Sequence, residues 1–251
     1  MDLAVTPARD KRIAIVQSAY IPWKGFFDLV GRCDEYVILD GAQFVKRHWH
    51  NRNQIKTASG VHWLTIAVVT KSRFEQPIDE VEVVGAWADK HWKSLEHAYR
   101  RAPHFETYAE RVRLLYESLE RERLLTRVNE TLLRALLQML GIDLKITRDR
   151  DYAPQGSRSE RLVDLCLKAN AKRYLSGPSA RDYLDEGLFA EAGIRVEWMT
   201  YGPYPTYPQA GGAFVDTVSV LDVIFNTGTE ARRYVQPAAA QCDPNAPSHV
   251  P

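Results

Sequence analysis

Residues 12–56 read RIAIVQSAYIPWKGFFDLVGRCDEYVILDGAQFVKRHWHNRNQIK. Two apolar runs in this stretch, 13–16 and 36–39, are short, largely β-branched and bounded by turns, which is the pattern of buried strands. Between them Pro22 suits a helix start, and Phe26, Phe27, Leu29 and Val30 give residues 24–32 an apolar side. Strand, short helix, strand is a βαβ-like unit, and it favours parallel pairing. Ligands of such sheets gather beyond the carboxyl ends of the strands. Residues 17–23 and 40–44 are expected there.

Working outward, residues 52–57 and 61–69 read as a hairpin around Ser59-Gly60. A charged loop at 70–80 leads to a short edge strand at 81–84. Residues 86–140 lack glycine and carry three helical patterns, 86–101, 104–121 and 124–140, with Pro103 breaking the first from the second. Gly141 is a C-terminal stop. Strands follow at 143–147, 172–176 and 194–200. Helices are expected at 158–169, with Ser157 and Glu160 as a capping box, then at 179–186, 188–192 and 220–226. The fold class is α/β: a three-layer α/β core with a mostly parallel sheet, a β-hairpin and a helical insert at 86–140. One domain is expected over 11–235, between a loose start (1–10) and a disordered tail rich in Pro and Ala (236–251).

The 251 residues carry 33 Lys plus Arg against 32 Asp plus Glu, a net charge of +1. No global basic field is available to recruit a nucleic-acid backbone, so anion binding must be local. Local positive charge occurs at Lys46, Arg47, Arg52 and Lys56. Cys33, Cys166 and Cys242 have no C-x-x-C spacing, which argues against a disulfide framework or zinc knuckle and for a reduced, cytoplasmic setting. No apolar run approaches a membrane span, and residues 1–10 lack a signal-peptide core. G-x-S-x-G, Walker A and G-x-G-x-x-G motifs are absent.

The candidate chemistry clusters in the opening stretch. Asp40 directly follows an apolar strand, where it can bind a metal, orient a hydroxyl or act as a base; the plainer role is to cap a turn or pair with Lys46 or Arg52. His48 and His50 stand two apart; structural or substrate-contact roles are the plainer reading, and either could equally serve as a general base near neutral pH. As a metal pair they lack a third ligand, so no metal site is expected. Lys46, Arg47, Asn51 and Arg52 suit recognition of phosphate or carboxylate. Gln17, Tyr20 and Trp23, around Pro22, suit a rigid aromatic lip for a sugar or base; a core wedge is the alternative. Ser176, Gly177 and Ser179 form a strand-to-helix turn with free N–H groups for an anion, though capping alone explains Ser179. Tyr207 and Gln209 lie in a proline-rich loop that could act as a lid or simply satisfy its own backbone.

Several ordered motifs resemble the WbqC-like family. They are Gln17-Ser18-Ala19-Tyr20-Ile21-Pro22-Trp23-Lys24-Gly25, then Asp40, Lys46, Asn51-Arg52 and Ile55, then Tyr174-Leu175-Ser176-Gly177 with Asp182-Tyr183-Leu184, and finally Tyr201, Pro205, Tyr207-Pro208-Gln209 and the run 219–228. The resemblance implies a place in bacterial surface-polysaccharide (O-antigen) or related biosynthesis. With the site residues it gives the first expectation, a transferase moving an acyl or aminoacyl group onto an amino sugar or related precursor. Its substrate would be a small molecule or nucleotide-linked, with a carrier protein or tRNA as a further donor class and no membrane partner. The alternatives are a nucleotidyl or adenylyl transferase, whose H-x-G-H signature is missing here, and a non-catalytic nucleotide-sugar binding module. No cofactor is named by the sequence.

Overall fold

The computed structural model describes residues 10–71, 73 and 75–236. Apart from Asp10 and Gln236, the expected loose start and disordered tail lie outside the described residues. Five parallel strands form the main sheet: β1 (Arg12–Val16), β2 (Glu35–Ile38), β5 (Lys145–Arg148), β6 (Arg173–Ser176) and β7 (Arg195–Trp198), in the spatial order β5-β2-β1-β6-β7. β1 pairs with β2 with Ile13 opposite Glu35 and Val16 opposite Ile38. β3 (Arg52–Thr57) and β4 (Gly60–Thr65) form a separate antiparallel hairpin. Gly60 takes φ +117°, a conformation open to glycine and strained for other residues.

Strand alternation assigns side chains to two cores. Ala14, Tyr36, Ile38 and Leu175 join one cluster with α1 (Lys24–Val30), α2 (Ala88–Tyr99), α3 (Phe105–Ser118), α4 (Leu125–Met139), α7 (Val220–Thr227) and α8 (Ala231–Val235). Ile13, Ile15, Val37 and Tyr174 join the other, with α5 (Arg158–Lys168) and α6 (Glu186–Glu191). A sheet apolar on both faces must be covered on both, and that requirement gives the three layers. α4 buries Val128, Leu132, Leu133, Leu136 and Leu137, each contributing roughly 1.5–3 kcal/mol on burial.

At the amino edge of β2, Glu35 is fully buried. Burial would raise its pKa, but Lys11 (2.7 Å), Thr147 (2.6 Å), Tyr152 and Lys145 (3.0 Å) hold it at about 2.

Two expectations need correction. No helix spans 179–186: Pro178–Ala180 is a single 3-10 turn, and Asp185 accepts from Gly187 N at 3.0 Å, which starts α6 afresh. Residues 81–84 form no continuous strand. Glu82 and Val83 make isolated bridges to Leu124 and Val68 and so tie the hairpin's exit to the helices.

Candidate functional site

The chain runs from β1 outward through β2 to β5 and then returns past β1 to β6 and β7. Such a reversal leaves a crevice at the carboxyl ends of the two strands on either side. Gln17 and Ser18 follow β1 there, with Ser176 and Gly177 at the end of β6 and Asp40 two residues past β2.

Asp40 organises this edge. It is 3% exposed; its Oδ1 accepts from Ser18 N at 2.8 Å and its Oδ2 from Thr126 Oγ1 at 2.6 Å. Burial raises its pKa, and these hydrogen bonds oppose the rise. One α4 turn beyond Thr126, Asn129 donates to Ser18 Oγ (3.0 Å) and to His50 O (2.9 Å). The turn after β1 and the loop after β2 are thereby fixed to one helix face. Both Asp40 oxygens are engaged internally, so the carboxylate holds the Ser18 turn and α4 together.

His50 is the buried imidazole held against the same Ser18 turn. It is 2% exposed, and its Nδ1 lies 3.1 Å from Ser18 O. A carbonyl only accepts, so Nδ1 carries the proton and Nε2 keeps its lone pair. Nε2 is buried and has no hydrogen-bond partner among the described residues. Burial lowers the pKa to about 4; the Ser18 bond resists this and the charge of His48 adds to it. The His48 ring lies 4.5 Å from that of His50. Though exposed overall, His48 is partly removed from water by this contact, and its pKa falls through burial and through the charge of Arg52. Arg52 lays its guanidinium 4.2 Å from the Trp63 ring centre and leaves its buried Nε without a partner. Asn51 Nδ2 donates to Ile66 O at 2.8 Å, while its Oδ1 is likewise buried and unpaired. Unpaired buried polar atoms are rare in folded chains. Here three fall on the consecutive residues 50–52, and a fourth is Oδ1 of Asn129.

The other candidates disperse. Tyr20 is fully buried, its hydroxyl 2.7 Å from both His91 Nδ1 and Tyr116 OH, so it is a core wedge and not a lip. Trp23 is half-buried against Tyr201 and Tyr204. Lys46 and Arg47 are exposed. Ser179 is exposed on its 3-10 turn, so the helix start proposed to hold an anion is missing. Tyr207 OH and Gln209 Nε2 each donate to Asp222 Oδ1 at 2.8 Å, which makes their loop self-satisfied. The same loop encloses Lys24, 1% exposed, whose ammonium pairs with Asp216 and lies 4.9–5.7 Å from the rings of Tyr204, Phe214 and Tyr207. Burial lowers the Lys24 pKa against the pull of Asp216.

Sequence reasoning passed over Thr126 and Asn129. Their signal was available: two polar residues three apart on the apolar stripe of α4. A cleft of about 40 Å³ adjoins Thr126, lined also by Asp40, Arg127, Arg148, Asp149 and Arg150 among others. No group of three His, Cys, Asp or Glu side chains suited to a metal ion occurs among the described residues. No helix of the described residues is long and apolar enough to cross a membrane.

Residues 17–234 match the WbqC-like protein family. The chain is 44% identical over 227 residues to "Uncharacterized protein Rv1507c" of Mycobacterium tuberculosis (strain ATCC 25618 / H37Rv), covering 90% of this chain and 98% of that protein. No solved structure matches. The match begins directly after β1 and runs into α8, and the chain belongs to the WbqC-like protein family.

Proposed function

We propose that the protein is a group-transfer enzyme that moves an acyl or aminoacyl group onto an amino sugar or related precursor, in the cytoplasm, within surface-polysaccharide or related biosynthesis. The observation that carries the reading is the unpaired Nε2 of His50, a neutral base held in one tautomer beside the ring of His48. In the transfer, Nε2 takes the proton from the acceptor amine as its nitrogen forms the new bond to the acyl carbon. The donor's leaving group departs with the bond electrons and receives that proton. Arg52 and Arg47 hold a phosphate or carboxylate of the substrate. An anion next to the ring favours imidazolium and brings the His50 pKa up toward its working range. Asp40, Thr126 and Asn129 position the Ser18 turn on which His50 is hung.

The test is a thermal-shift panel of nucleotide sugars, coenzyme A thioesters, free amino acids, and ATP or CTP with magnesium, followed by turnover with whichever compounds bind. A ligand at 100 times its Kd adds about 2.7 kcal/mol of stability. The reading expects a shift with an acyl donor or nucleotide sugar, turnover abolished in Arg52→Ala and His50→Gln, and folding retained in both. Unchanged turnover in His50→Gln removes the proposed base. A shift confined to ATP or CTP, with pyrophosphate release, replaces the reading with nucleotidyl transfer.

A further inference from the structure

From Gly41 to Phe74 the sequence has six Lys or Arg residues, three His, two Trp and no Asp or Glu. In a chain of net charge +1, that stretch is a local positive field set against a net negative remainder. It also holds Val45 (51%), Trp49 (42%), Val61 (43%) and Trp63 (39%), half of the exposed large hydrophobic side chains among the described residues. The hairpin register explains how they gather: Arg52 pairs with Thr65, Gln54 with Trp63 and Lys56 with Val61, so these six share one face. The Trp49 ring stacks on Trp63 with centres 5.5 Å apart and planes 27° apart, and Arg52 lies over Trp63. Exposed Lys46, Arg47 and His48 adjoin Trp49 in sequence. Arg47 takes φ +60° and makes no ion pair among the described residues.

From this face we infer a second activity, which shares Arg47 and Arg52 with the transfer reading and makes no use of His50: binding of single-stranded nucleic acid by the Trp49–Trp63 stack and its cations. A small nucleotide needs a concave pocket that covers most of it. Indoles left two-fifths exposed on an open hairpin suit an extended ligand. Bases stack on the indoles, and phosphates meet Lys46, Arg47 and Arg52. An acidic protein would satisfy the charge and make no call on stacked indoles.

The experiment is fluorescence anisotropy of labelled twelve-nucleotide RNA and DNA single strands, with inorganic polyphosphate and polyglutamate as competitors, on wild type, Trp49→Ala/Trp63→Ala, Arg47→Glu and His50→Gln. The inference expects saturable binding of a single strand that weakens about tenfold or more in the tryptophan double variant. Two or three phosphate contacts predict a slope of log Kobs against log salt of about −1.4 to −2.1. The RNA and DNA arms say which sugar is preferred. Should the double variant unfold, Trp49→Ser and Arg47→Glu, both at exposed loop positions, must each weaken binding. His50→Gln must bind as wild type does, which separates this activity from the transfer chemistry. No binding, binding indifferent to the tryptophans, or equal displacement by polyphosphate or polyglutamate at matched charge overturns the inference.

Discussion

His50 and His91 are both held neutral inside the protein. Each has its pKa lowered chiefly by burial to about 4 from an ordinary 6.5; hydrogen bonds to the carbonyls of Ser18 and Thr65 respectively resist the fall. In the unfolded chain both take up protons as the pH drops through about 6.5, whereas the folded chain refuses them until about 4. Stability must therefore fall with pH across this window. Between about pH 7.5 and 5 each histidine removes about 2 kcal/mol, so the pair removes about 4. That is a large part of a typical 5–15 kcal/mol total. Asp40 and Asp222, whose pKa values burial raises, act in the opposite direction, since their protonation on acidification relieves a buried charge. Comparing wild type with His50→Gln and His91→Gln at each pH cancels that contribution. Urea unfolding at several pH values is the assay. At an m-value of about 3 kcal/mol/M, the histidines' loss of about 4 kcal/mol corresponds to about 1.3 M of midpoint, read from the difference between wild type and the variants. Each variant should flatten the dependence by about half. Parallel curves for wild type and His50→Gln across the window would refute the neutral buried imidazole.

Other perturbations test the packing around the site. Thr126→Val leaves Asp40 Oδ2 without its donor and should cost about 1–3 kcal/mol in chemical denaturation. A Cβ at Gly25 would lie 2.3 Å from the Trp23 indole, itself wedged against Tyr201 and Tyr204. Gly25→Ala should accordingly lose about 1–3 kcal/mol, with a change in near-ultraviolet circular dichroism. At the Lys24–Asp216 pair the buried partner is the lysine. Asp216→Ala should therefore cost about 3 kcal/mol or more and Lys24→Met about 1 kcal/mol or less, because only the first strands a buried charge. Equal losses on melting the two variants would contradict that asymmetry.

What the sequence reveals of this molecule follows from the range over which each residue finds its partners. β1 and β2 are apolar runs with turns at each end, and the hairpin turn is marked by Ser59-Gly60, so local pattern suffices for them. The carboxyl-edge position of Asp40 follows from the same pattern. Its role does not, because the partner Thr126 stands 86 residues away. Tyr20 suits an aromatic lip and a core wedge equally well until His91 and Tyr116 are brought to it from 71 and 96 residues along the chain. Tyr207 and Gln209 suit a lid equally well until Asp222 is seen to accept from both. The helix expected at 179–186 fails for a local reason: the capping power of Asp185 outweighs a weak helical pattern. The unpaired atoms at 50–52 have no sequence signature, since being unpaired depends on what the fold leaves out of reach.

His50 is a neutral imidazole with its proton on Nδ1 and a free lone pair on Nε2. Long-range nitrogen–proton NMR correlation of the histidine rings, titrated from about pH 8 to 4 and assigned by the loss of one ring's signals in His50→Gln, measures this without knowledge of the substrate. The account predicts the Nδ1–H tautomer at neutral pH and titration near 4. A proton on Nε2, or an imidazolium already formed at neutral pH, would contradict it.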